Sequence, residues 1–140
     1  MNVNWAAFAA QVRAERDCGE VIVLGAPEGE WAWLSAGQPK EGTFAVSREQ
    51  ARRILTHLLA QDLAYDMPLL PGARAAELAD VYLNALDPAA RLYSNNDPSE
   101  LASGRPLSGW TPIIEAATFD IGIYSLHADQ QTVFWVLDED

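Results

Sequence analysis

The sequence predicts an α+β domain, a mainly antiparallel sheet with helices packed on one face. Three observations lead there. Ala51, Ile54, Leu55, Leu58 and Leu59 recur at helical spacing, as do Leu78, Val81, Tyr82 and Ala85. Short β-prone runs stand before and after these helices, the last two arranged as a hairpin. The resulting order, α-β-β-β-α-α-loop-β-β, groups strands together instead of alternating them with helices, which favours antiparallel pairing. The 140 residues are close to the common size of one domain, and no composition shift marks a boundary, so residues 1–140 form a single domain.

Residues 4–17 read as a first helix, with Trp5, Phe8 and Val12 on one stripe and Gly19 beyond its end. Strands follow at 21–24 and 31–34, joined by the turn-rich Gly25-Ala26-Pro27-Glu28-Gly29, and a third is expected at 43–46. Ser47 can cap the next helix, and Gln50 three residues on completes a capping box. Pro68 and Pro71-Gly72 separate it from a helix at 73–86, which Asp87-Pro88 ends. Residues 89–112 read as a long polar loop, and long loops in compact domains tend to carry function. The closing hairpin is expected at 118–127 and 132–138, turning at Asp129-Gln130.

Charge excludes several classes. Nine basic against twenty acidic residues give a net charge of −11, so nucleic acid and anionic membranes are repelled. No apolar run approaches the ~20 residues of a bilayer span, and no signal-like segment opens the chain. Cys18 is the single cysteine, which rules out an intrachain disulfide and fits a reducing, cytoplasmic setting.

The acids are distributed unevenly. No Lys or Arg follows Arg105, yet Glu115, Asp120, Asp129, Asp138, Glu139 and Asp140 do. An element charged with one sign is either solvated surface or a docking surface for a cation. With Ala128 and Gln131 flanking the turn, Tyr124 would face Trp135, Gly122 would leave room beside that indole, and Asp120 would oppose Glu139. Like charges directly opposed are unfavourable unless a cation stands nearby or the strand ends fray. Asp120, Asp138, Glu139 and Asp140 are therefore candidate partner contacts. Trp110, between Gly109 and Thr111-Pro112, is a candidate exposed anchor, and Asn95 and Asn96 are loop candidates.

Catalytic and metal signatures are weak. There is no His/Cys cluster at ligand spacing, no calcium-type acidic loop and no Gly-rich phosphate cradle, so neither a metal nor a cofactor is expected. Cys18 with His57 supplies residue types without a local signature, and no nucleophile elbow occurs. Trp31 and Trp33 alternate along a strand. They would be core beneath helices, or an exposed aromatic face supporting a weak homodimer.

The closing pattern carries a resemblance. Leu92-Tyr93-Ser94-Asn95-Asn96, Gly109-Trp110-Thr111-Pro112, Ala117-Thr118-Phe119-Asp120-Ile121-Gly122-Ile123 and Phe134-Trp135-Val136 with Asp138-Glu139-Asp140 resemble immunity proteins encoded beside bacterial polymorphic and secretion-system toxins. The likeness covers about the last 50 residues. It implies a non-enzymatic cytosolic protein that binds a cognate toxin, and an acidic inhibitor would suit a toxin with a basic active-site cleft. The alternative is a small-molecule-binding domain or minor enzyme, with a pocket under the 89–112 loop formed by Tyr93, Asn95, Asp120 and His127.

Overall fold

The computed structural model describes residues 3–103, 110–114, 117–128 and 130–139. The chain forms helix α1 (Trp5–Arg16), strand β1 (Glu20–Leu24), a 3-10 helix (Gly29–Ala36), strand β2 (Phe44–Val46), helices α2 (Arg48–Ala60) and α3 (Gly72–Asn84), and strand β3 (Arg91–Ser94). A second 3-10 helix (Pro98–Ser103) then precedes strands β4 (Phe119–His127) and β5 (Gln130–Asp138). The five strands form one antiparallel sheet in the order β1-β5-β4-β3-β2. The fold is α+β, as the grouping of elements predicts.

The α-helices share one face of the sheet. The Ser47–Gln50 capping box is present, and all five apolar residues of the α2 stripe are buried. They pack with Phe8 and Val12 of α1 and Leu78 and Tyr82 of α3 against Ile121, Ile123, Phe134 and Val136. At roughly 1.5–3 kcal/mol for each large apolar side chain taken from water, this layer is the main stabilising contribution. Two expected members are outside it, Val81 and Ala85, the latter half-buried at the C-cap of α3. Val81 is 49% exposed, and Ala75, Ala79 and Leu83 complete the buried face of α3.

The expected strand at 31–34 is a 3-10 helix instead. A Trp-Ala-Trp-Leu run satisfies strand alternation, but Trp31 and Leu34 are also three apart, the repeat of a 3-10 turn, and both are buried. Gly29 at φ 55° and Gly37 at φ 69° supply the left-handed backbone at its two ends. The segment leads from one edge strand, β1, towards the other, β2, across the sheet face that the α-helices leave open. There Trp31 packs 5.1 Å from Trp135 and Trp33 meets Tyr124 edge-on at 5.1 Å, ring centroid to centroid. The two tryptophans roof the second face instead of pointing together from a strand.

The 89–112 segment is not one long loop, because β3 and the second 3-10 helix lie within it. Four residues, Arg-Leu-Tyr-Ser, are too few to show a periodic signal. The closing hairpin is present with its two-residue turn one position earlier than expected: His127 pairs with Gln130, so Tyr124 opposes Val133, Gly122 opposes Trp135 and Asp120 opposes Leu137. The shift is two residues, which preserves every side chain's face while changing its partner. Gly122 does serve the indole, since a Cβ there would fall 2.5 Å from the Trp135 ring.

Candidate functional site

The described acidic residues of the closing hairpin separate into three environments. Asp138 points into the helix-side core, where it meets Arg16 at the end of α1. All five guanidinium N–H groups are used: two reach Asp138 at 2.9 and 2.7 Å, and the others reach the carbonyls of Leu58, Cys18 and Gln61. The Leu63 amide donates to the same carboxylate at 2.7 Å. Asp138 is thus closed off from any partner. The expectation of an exposed acidic contact fails here because a basic residue 122 positions earlier takes the carboxylate.

Asp120 is fully buried on the opposite face. Its Oδ2 accepts from the Ile113 and Ile114 amides at 2.9 and 3.1 Å and from the Trp135 indole N–H at 3.1 Å. Its Oδ1 is buried without a hydrogen-bond partner among the described residues. Burial pushes this carboxyl above its ordinary value, opposed by the three donors. Asn95 works beside it, donating to the Thr111 and Asp120 carbonyls and accepting from the Gly122 amide. Together they fasten segment 111–114 to the hairpin. Asn96 is buried too, bridged to Trp110, which is half-buried and lies 6.0 Å from the Phe119 ring. Trp110, Asn95, Asn96 and Asp120 are therefore committed to the interior or its margin. Asp140, Glu115 and Asp129 lie outside the described residues.

Among the described residues, Glu139 is the expected acidic contact that reaches solvent. Its carboxylate accepts from the Thr118 amide at 3.3 Å and from the Thr118 hydroxyl, which fixes its position. It lines an open groove of about 520 Å³ together with Glu20 on β1 and Glu30 on the 3-10 helix. Ile22, Ile114, Ala117 and Leu137 supply the apolar lining. Strand pairing explains the assembly: Glu20 lies opposite Leu137, Ile22 is two residues on and on the same face, and Glu139 extends that face beyond β5. Asp120, opposite Leu137 on β4, accepts from the Ile114 amide and so fixes part of the groove wall. Sequence reasoning missed Glu20 and Glu30 because they belong to the first third of the chain. Their convergence with Glu139 depends on β1 pairing with β5.

The other expected chemistry is not assembled. Tyr93 is buried and stacked on Tyr124 at 5.3 Å, centroid to centroid. His127 lies at the far end of β4 from Asp120, seven residues or roughly 23 Å away, and meets Asp87 at 3.4 Å. Those groups cannot share a pocket. His57 sits beside Asp66 at 3.7 Å, and burial holds its pKa below the usual value. Cys18, Asp62 and Asp138 bring ligand-type atoms within 4.8 Å of one another. Arg16 already bonds both Asp138 oxygens, and burial, then the Asp138 charge, pushes the Cys18 thiol up towards its protonated form. The cation of that cluster is the guanidinium, and a protonated thiol is a poor nucleophile or metal ligand.

Among the described residues, no helix is long and apolar enough to cross a membrane. Comparison of the chain with protein-family models, curated proteins and solved structures gives no match.

Proposed function

We propose that this chain is a non-enzymatic immunity protein that binds a cognate toxin in the cytoplasm through an acidic surface and neutralises it. The observation that carries the reading is the groove, where exposed Glu20, Glu30 and Glu139 edge an apolar lining. A fold that sequesters Asp138 and Asp120 leaves these three carboxylates for an outside partner. The net charge of −11 adds long-range attraction for a basic cleft and raises the encounter rate. The resemblance of the closing segment to immunity proteins supplies the class of partner. The same charge disfavours nucleic acid and anionic lipid.

Co-expression with the product of the adjacent gene in a heterologous bacterium tests the reading. Relief of that product's toxicity, with co-purification of the two proteins, is the expected result. A harmless neighbour, or toxicity that this chain leaves unrelieved, overturns it. Affinity for the partner should fall with salt through the association rate, which stopped-flow mixing at two ionic strengths reads directly.

A further inference from the structure

We propose that the groove between the β1–β5 edge, the 3-10 helix, Ile114 and Ala117 is a socket for one arginine side chain of a protein partner. The inference rests on the partner-binding reading above and names what that partner inserts. The lining has two chemistries. Ile22, Ile114, Ala117 and Leu137 offer an apolar wall for a methylene stem, and Glu20, Glu30 and Glu139 offer carboxylates from three separate segments. A side chain suited to both is amphipathic, with an aliphatic stem and a cationic head.

Among the described residues, no cation of the chain fills this position. Arg16 is taken by Asp138, Arg52 by Asp80, and Arg74 by Glu15 and Glu77. Lys40 stands 5.0 Å over the Trp33 ring, and the other arginines donate to backbone carbonyls elsewhere. Glu20 and Glu30 make no hydrogen bond or ion pair among the described residues, while Thr118 holds Glu139 in place. Three carboxylates gathered at one groove repel one another until a cation arrives, so a cation gains interaction energy there that it would not find beside a lone acid.

Arginine fits better than lysine. Its planar guanidinium has five N–H donors spread over the plane and can bond carboxylates converging from different sides. Its weakly hydrated faces tolerate contact with an apolar wall. Lysine concentrates a strongly hydrated charge at one point and would give up more hydration beside Ile22 and Leu137. The volume of about 520 Å³ accommodates the side chain with flanking backbone of the partner. The opening lies at one end of the sheet, where a protruding loop can reach it.

The test needs no identified partner. Isotope-labelled full-length protein is titrated with the capped peptide acetyl-Gly-Arg-Gly-amide and, in parallel, with its lysine and leucine counterparts and with calcium chloride. The expected result is saturable millimolar binding of the arginine peptide, with amide shifts confined to residues around Ile22, Ile114 and Leu137. Lysine should bind several-fold more weakly, the leucine peptide not at all, and calcium should not produce the same shifts. Paired E20Q and E30Q substitutions should weaken the arginine peptide roughly tenfold, while E49Q on the helix side leaves it unchanged.

Shifts spread over the whole acidic surface, equal response to lysine, calcium reproducing the arginine pattern, or unchanged affinity in the E20Q/E30Q protein would each overturn the socket. The two proposals fail separately. Growth rescue without peptide binding removes the arginine socket and keeps the toxin partner. Peptide binding without rescue removes the toxin and keeps the socket.

Discussion

Asp138 and Glu139 are adjacent in the chain and opposite in the fold. The first is held inside by Arg16 and a backbone amide, and the second stands at an open groove with Glu20 and Glu30. Both clusters collect negative charge at the same end of the sheet, on its two faces. The inner one contains its own guanidinium, bonded through every N–H group, while the outer one has no cation among the described residues. An acid count cannot distinguish these situations. What separates them is strand pleat, which sends successive side chains to opposite faces, and the presence of a basic partner on only one of those faces.

Breaking the inner cluster should have the largest effect. Asp138→Ala leaves a buried guanidinium without its counter-ion, and the expected loss is about 3–5 kcal/mol, read from urea unfolding midpoints. The double change Arg16→Met with Asp138→Leu should recover much of that loss, because well-packed apolar groups can replace a buried pair. A single Asp138→Ala variant as stable as the parent would mean that Arg16 finds water or another acid.

Asp120 sharpens the comparison through pH. Its carboxyl is raised in the folded protein from the ordinary value of 3.8, so the native state holds that proton more tightly than the unfolded chain does. The stability contributed by this group is fully present below the unfolded value and is lost as pH rises through the folded value. Asp120→Asn removes the titration and leaves a carbonyl oxygen for the three donors at the Oδ2 position, but it buries an unpaired NH2 at the Oδ1 position, at a cost of about 1–3 kcal/mol. The stability difference between parent and variant should therefore shrink as pH rises from about 3.5 towards neutrality. A difference that is flat across this range would exclude a raised carboxyl.

The outer cluster should show the smallest effect on stability. Glu20→Gln with Glu30→Gln relieves repulsion between exposed acids, and the unfolding midpoint should stay within about 0.5 kcal/mol of the parent or rise slightly. Substantial destabilisation would make these carboxylates structural instead of available.

Much of the architecture is legible in the sequence, and the reasons differ between elements. The α2 stripe is visible because five apolar residues repeat over three turns, and Ser47 and Gln50 mark its start by local hydrogen bonding. The hairpin is visible because it is long and β-prone, although its register is not, since the turn falls one residue earlier than the flanking residues imply. The 3-10 helix at Gly29–Ala36 and the four-residue β3 are hidden, because segments this short satisfy two periodicities or none. For the groove, one member of three is legible: Glu139 stands out in a terminal acidic run. Glu20 and Glu30 become its neighbours only through a pairing between β1 and β5, over a hundred residues apart, which no local pattern records.

That pairing also bears on how the chain is made. β5 follows the other four strands of the sheet in the chain, yet it occupies an interior place between β1 and β4. On a ribosome whose exit tunnel still covers residues 130–138, the nascent chain has helices that can form locally, but β1 and β4 remain bare edges and Arg16 has no counter-charge. Contacts of such long sequence separation close slowly, and open edges are the surfaces through which incomplete chains associate. The sheet is therefore completed only after β5 is released, and the interval before that release is when the chain is most exposed to aggregation and proteolysis.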